Sequence, residues 1–127
     1  MIEIRVKTSK RVEALNISEL VEKAIQDRQD SLLHVYTPHT TCGLTINEDA
    51  DPNVMRDILD ALERMVPADY PYRHTEGNSD AHIKATLTGS SVTVPCLQGK
   101  PSFGTWQGIF LMEFDGPRER KVIITFI

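Results

Sequence analysis

The period at which apolar residues recur changes along this chain, and the order of those changes most constrains its fold. Ile2, Ile4 and Val6 alternate with Glu3, Arg5 and Lys7, the pattern of a strand with one wet face. Ser9-Lys10-Arg11 reads as a polar turn, and Val12 to Leu15 as the hairpin partner of that strand. Asn16 and Ser18 supply a helix start. Leu20, Val21, Ala24 and Ile25 then share one helical face, with Glu22, Lys23 and Arg28 outside it. Leu32 to Thr37 is strand-like and ends at Pro38, and Leu44 to Asn47 reads as the second strand of that pair. Asp51-Pro52 opens another helix, because Asp is a favoured N-cap and Pro suits the first helical position. Val54, Met55, Ile58, Leu59, Leu62 and Val66 follow at helical spacing until Pro67. Residues 68–78 are polar and irregular. A shorter helix is expected over Asp80 to Thr88, with Ser79 as N-cap and Gly89 as its stop. Three strands finish the chain: Ser91 to Cys96, Gly108 to Phe114 and Lys121 to Ile127, with Asp115-Gly116-Pro117 turning between the last two. The order ββαββααβββ has no regular βαβ alternation, so it predicts an α+β fold with mainly antiparallel pairing. No internal repeat or low-complexity tract interrupts it.

Bulk properties narrow the class further. The 127 residues suit one domain, 1–127. With 40% apolar residues, a chain near this size buries roughly two-thirds of its unfolded surface and needs no disulfide staple. A charged fraction of 25% excludes bulk disorder. The net charge of −4 argues against a general nucleic-acid binder, which carries a basic excess. Cys42 and Cys96 have no CxxC spacing and read as small buried residues. There is no signal-peptide core and no apolar run near the ~18 residues of a membrane span. A cytoplasmic protein that engages neither membrane nor nucleic acid is expected.

Four polar clusters stand apart from this ordinary background. The chain has four histidines. His39 follows a strand in Pro38-His39-Thr40-Thr41, His74 lies in the irregular loop, and His82 lies in the first turn of the short helix. His34 sits inside a strand, packed or exposed. Imidazole is the commonest metal ligand, and three converging would resemble an open zinc centre with a water in the fourth position. On spacing alone, without HxxxH or HExxH, they read as separate capping or surface residues. Gly104-Thr105-Trp106-Gln107-Gly108 is either a tight turn with Trp106 plugging the core or a ligand-binding edge built from Thr105 and Gln107. In Asn47-Glu48-Asp49-Ala50-Asp51-Pro52, Asp51 is explained as a cap, while Glu48 is a candidate general base or hydrogen-bond acceptor. Arg118 and Arg120 suit either a solvated hairpin or bidentate anion binding, with Lys84 and Ser90-Ser91 elsewhere.

These motifs occur in a recognisable order: His39-Thr40-Thr41, Leu44-Thr45-Ile46-Asn47-Glu48, Asp51-Pro52, His74 with Glu76-Gly77-Asn78, Ala81-His82-Ile83-Lys84, Gly89-Ser90-Ser91, Gly104-Thr105-Trp106-Gln107-Gly108-Ile109, and Glu113 with Arg120. Each is weak alone, but the ordered set resembles the YjbQ family over nearly the whole chain. The resemblance implies β-sandwich-like sheets with a helical layer, a homotrimer, and a polar pocket near a subunit boundary. It makes His39, His74 and His82 ligands of a metal or anion, with zinc or magnesium as the cation. Thr40, Glu76, Lys84, Thr105, Gln107, Arg118 and Arg120 become candidate substrate contacts. Glu48 joins the three histidines as a candidate catalytic residue. The implied activity is that of a secondary thiamine-phosphate synthase, which joins hydroxymethylpyrimidine diphosphate to thiazole phosphate. The alternatives are a metal-dependent hydrolase of a phosphorylated small molecule and a non-catalytic trimeric binder of an anionic metabolite. The chain departs from relatives in its short stretch between Gly77 and Ala81, in Pro101-Ser102-Phe103, and in Asp115-Gly116-Pro117-Arg118, which favours Arg120 over Arg118 as the anion contact.

Overall fold

The structure, a computed structural model, describes residues 1–26 and 28–127. In chain order the elements are β1 (Ile2–Lys7), β2 (Glu13–Asn16), α1 (Ser18–Ala24), β3 (Ser31–Tyr36), β4 (Cys42–Glu48), α2 (Pro52–Met65), α3 (Ser79–Thr88), β5 (Ser91–Leu97), β6 (Lys100–Pro101), β7 (Gln107–Glu113) and β8 (Glu119–Phe126). This is the expected α+β order with one addition, the two-residue β6. One sheet has the strand order β1-β8-β3-β5-β6 and the other β2-β7-β4, and their pairings are antiparallel.

Two cores hold three layers together. Val6, Leu33, Val35, Val122 and Ile124 of the larger sheet pack with Cys42, Leu44, Ile109 and Leu111 of the smaller one. On the other face of the smaller sheet, Phe110, Met112 and Phe114 pack with Met55 of α2 and Ala81 and Ala85 of α3. Successive residues of β7 therefore serve opposite cores. The strand is buried from Gly108 to Glu113, which is why its sequence shows an apolar run rather than alternation. Helix α2 begins as its sequence predicts: the Asp51 carboxylate accepts the Asn53 N–H at 2.9 Å and Pro52 follows, a cap worth about 1 kcal/mol over Ala. For α3 the N-cap position falls on Asn78 rather than Ser79, and no side chain caps it. Among the described residues no helix is long and apolar enough to cross a membrane.

The pairing of neighbouring strands differs from expectation. β1 pairs with β8 and β2 with β7, so they form no hairpin. β3 lies between β5 and β8 while β4 pairs with β7. β7 and β8 also belong to different sheets. The segments after β1, β3 and β7 are thus crossovers between layers, and they meet at one corner. There the Thr8 N–H donates to Arg118 O at 2.9 Å, Phe114 N–H to Thr41 O at 3.2 Å and Gly116 N–H to Arg11 O at 3.0 Å. A Cβ on Gly116 would stand 2.2 Å from Lys10 O, so the crossovers approach this closely only with glycine there. Glu13 closes the first crossover by accepting the N–H groups of Ser9 and Lys10. Burial pushes its carboxyl pKa up, and those bonds outweigh that and hold it below the usual range.

Candidate functional site

A buried ion pair organises the corner. Glu113 is 0% exposed and Arg120 1%. Arg120 Nε donates to both Glu113 oxygens at 2.9 and 3.1 Å, and its Nη2 donates to Glu113, to Thr41 O and to Thr41 Oγ1. Thr8 Oγ1 donates to Glu113 Oε1 at 2.7 Å. One residue from each crossover or its flanking strand is therefore tied to a single carboxylate–guanidinium unit. The sequence suggests Arg120 as an anion contact on a hairpin. The structure instead commits it to holding the crossovers together, because it lies on the inward face of β8, opposite Val6. Arg118 is about half exposed and donates to the backbone O and carboxylate of Asp115.

His39 stands beside this unit. Its Nε2 accepts the Lys121 backbone N–H at 3.0 Å. Burial lowers its pKa, as do the charges of Arg120, Arg118 and Lys121, against an opposing effect from Glu113. The imidazole is therefore neutral, and its bonding pattern assigns the proton to Nδ1. His39, Thr40, His82, Gly89 and Ser90 line a cavity of about 390 Å³. Tyr70, Tyr72, Arg73, His74, Ser79 and His82 line another of about 640 Å³. His82, in the first turn of α3, belongs to both. The His74 and His82 rings stand edge to face with centroids 5.5 Å apart. Exposed Glu76 lies 3.7 Å from His74 Nε2, beyond hydrogen-bond distance.

His82 thus shares one cavity with His39 and another with His74, yet among the described residues no three His, Cys, Asp or Glu side chains group as a metal site. The Nε2 lone pair of His39 is already occupied. The donors gathered in one chain are two imidazoles, which do not fit the three-imidazole zinc centre and would need a substrate's oxygens to complete a cation's shell.

Other predicted contacts lie elsewhere. Lys84 is 0% exposed and its ammonium donates to Asp80 at 3.0 Å and to Glu63, while Asp80 also receives both bonds of Arg11 at 2.9 and 3.0 Å. It is a buried structural cation rather than a substrate contact. Glu48 accepts the Asp51 N–H at 3.2 Å and lines a separate cavity of about 410 Å³ with Glu13, Asp49 and Arg56. Gln107 is its register partner, and Gln107 Oε1 accepts the Gly104 N–H at 2.9 Å. Thr105 is exposed beside it, and Trp106 is 62% exposed, so it does not plug the core. This group stands at the end of β4 away from His39, about 20 Å along the strand at ~3.3 Å per residue. His34 stacks on Tyr36 on the outer face of the larger sheet.

Several site residues do not stand out in the sequence. Tyr70 and Tyr72 lie in the segment that reads as polar and irregular, where two aromatic residues are the available signal. Glu113 appears there only as a motif partner of Arg120, although an acid ending the apolar run Ile109–Met112 marks a buried charge that needs a partner.

Comparison with known proteins agrees with this architecture. The family model described as UPF0047 protein YjbQ-like matches residues 2–127. The chain is 46% identical to UPF0047 protein MJ1081 of Methanocaldococcus jannaschii, covering 100% of this chain and 94% of that protein. It is 42% identical to UPF0047 protein YugU of Bacillus subtilis, covering 95% and 94%. An uncharacterised conserved protein of the family from Clostridium acetobutylicum superposes with a TM-score of 0.95 at 50% identity, covering 100% of both chains. The conserved hypothetical protein TT1486 of Thermus thermophilus does so at 0.95 and 41%, again over 100% of both. With the family model, the relatives and the solved structures in agreement over nearly every residue, the chain belongs to the YjbQ/UPF0047 family.

Proposed function

We propose that the protein is a thiamine-phosphate synthase-type transferase, which joins hydroxymethylpyrimidine diphosphate to thiazole phosphate. The observation that carries this reading is that His82 lines two adjoining cavities, of about 390 and 640 Å³. A transfer between two substrates needs two ligand volumes meeting at one point, and both cavities fall in or near the ~300–1,000 Å³ range of small-molecule sites. In the reaction the thiazole nitrogen forms a bond to the pyrimidine's exocyclic methylene carbon. The carbon–oxygen bond to diphosphate breaks, and diphosphate leaves with that electron pair. The leaving group needs donors where its charge develops. With Lys84 and Arg120 committed inside the fold, those donors are His39 Nδ1–H and the hydroxyls of Thr40 and Ser90, which line the smaller cavity. A divalent cation is proposed only as a companion of the diphosphate, held by that group's oxygens beside His82.

Glu48, Thr105 and Gln107 reach such a site only from a neighbouring copy. The homotrimer that the family resemblance implies supplies one, and half-exposed Leu32, Tyr36 and Leu97 on the outer face of the larger sheet support an assembly. The test is turnover of the two substrates by purified protein, with product quantified. Wild type is expected to form thiamine phosphate and His82→Ala to lose at least about tenfold in rate, the scale of one positioned polar group. Wild-type turnover by His82→Ala sinks the site. Stabilisation by each substrate without product marks a binding module instead.

A further inference from the structure

The larger cavity contains a feature that the transfer chemistry leaves unused. Tyr70 is 62% exposed, yet it is not an isolated surface ring. Its centroid lies 5.0 Å from that of Tyr72, tilted by 52°. The Tyr72 hydroxyl donates to Pro67 O at 2.6 Å, and the Tyr72 N–H donates to Tyr70 O at 2.8 Å. One ring is thus anchored to the chain after α2 and orients the other. Fixing aromatic rings before a ligand arrives removes an ordering cost from binding. The His74 and His82 rings add a second pair of planar faces and edges on the same cavity. Arg73 and Ser79 line it as well, and Ser79 opens the ten-residue α3, whose N-cap Asn78 makes no side-chain capping bond. The Ala81 and His82 N–H groups already donate to Asn78 O at 3.0 and 3.3 Å, so the Arg73 guanidinium and the Ser79 hydroxyl are the anion contacts this rim offers.

We propose that this cavity clamps a planar heteroaromatic ring against Tyr70 and Tyr72 and holds that ring's phosphate beside Arg73 and the start of α3. The aromatic faces recognise the ring and the cationic rim its ester, so a ring phosphate is bound better than either part alone. Naming the ring as the thiazole phosphate rests on the transferase reading; the clamp itself does not. His82 then sits between the bound ring and the smaller cavity, where a second substrate would present its electrophilic carbon.

The chain has three tyrosines, and Tyr36 lies on the outer face of the larger sheet, so NMR of the aromatic protons carries its own control. Titration of the full protein with thiazole phosphate is expected to shift Tyr70, Tyr72 and His82 while leaving Tyr36 in place. Tyr70→Leu, a change at an exposed position, is expected to weaken binding at least about fivefold, the scale of one stacked ring. The thiazole alcohol and inorganic phosphate are each expected to bind more weakly than the ester. Unchanged affinity in Tyr70→Leu overturns the clamp, and so do equal shifts with inorganic phosphate alone. Intact ring-phosphate binding with no turnover sinks the transferase reading alone, whereas turnover with Tyr70→Leu binding unchanged sinks the clamp alone.

Discussion

An imidazole that accepts a hydrogen bond at Nε2 keeps its proton on Nδ1 to stay neutral, and His39 is in that state through the Lys121 N–H. Burial and the nearby guanidinium of Arg120 depress its folded pKa below the ordinary 6.5. The unfolded chain therefore binds the extra proton first as pH falls. The stability this group contributes is complete above 6.5 and is lost as pH drops through the folded pKa. His39→Gln keeps an acceptor for Lys121 but cannot titrate. Wild type is expected to lose thermal midpoint more steeply than His39→Gln from pH 6.5 downward, and parallel curves would refute the assignment. At this scale the sequence is informative about residue type and silent about partners. His39 and His82 stand out in it and share a cavity. Lys84 stands out for its charge and is consumed by Asp80, although their i, i+4 spacing on one helix already suggests that pair.

Helix α3 is where stability and site meet. Its buried face holds Asp80 and Lys84 between Arg11 of the first crossover and Glu63 of α2, and its first turn carries His82. Burial works against the Asp80 carboxylate, but the bonds from Lys84 and then Arg11 outweigh it and hold its pKa below the usual value. Asp80→Ala leaves the Lys84 ammonium buried with only Glu63 opposite. Removing one partner of a buried ion pair costs about 3–5 kcal/mol, so the urea midpoint is expected to fall accordingly, with Asp80→Asn milder. A change under about 1 kcal/mol would show that water reaches Lys84, since exposed pairs contribute no more than that. The existence of α2 and α3 is legible because helical periodicity is local. The crossovers look like hairpin turns in sequence because a polar turn does not say whether the chain returns to the same sheet or crosses to another.

At the scale of the whole molecule, the candidate residues fall into two groups about 20 Å apart along β4. If a site draws His82 from one subunit and Glu48 from the next, light scattering is expected to give three times the 14.3 kDa protomer. Inactive His82→Ala and Glu48→Gln chains, co-refolded, are expected to recover roughly a quarter of wild-type turnover, because random mixing rebuilds some intact boundaries. No recovery would confine the chemistry to one chain.

The α+β class, the helices with their Asp51-Pro52 start, and the histidine motifs follow from the linear order of side chains. Periodicity and capping act within a few residues, so they are written locally. Which strands pair, which charges are buried and which histidines share a wall were decided only on folding. These depend on contacts between residues such as Thr8, Thr41, Glu113 and Arg120, whose separations along the chain carry no periodic signal. Three crossovers meeting at one corner turned Arg120, a candidate anion contact in the sequence, into the buried partner of Glu113 and Thr41. Folding also brings Tyr70 and Tyr72 to the wall of one cavity with His82, a contact between a loop and a helix that leaves no local pattern in the sequence.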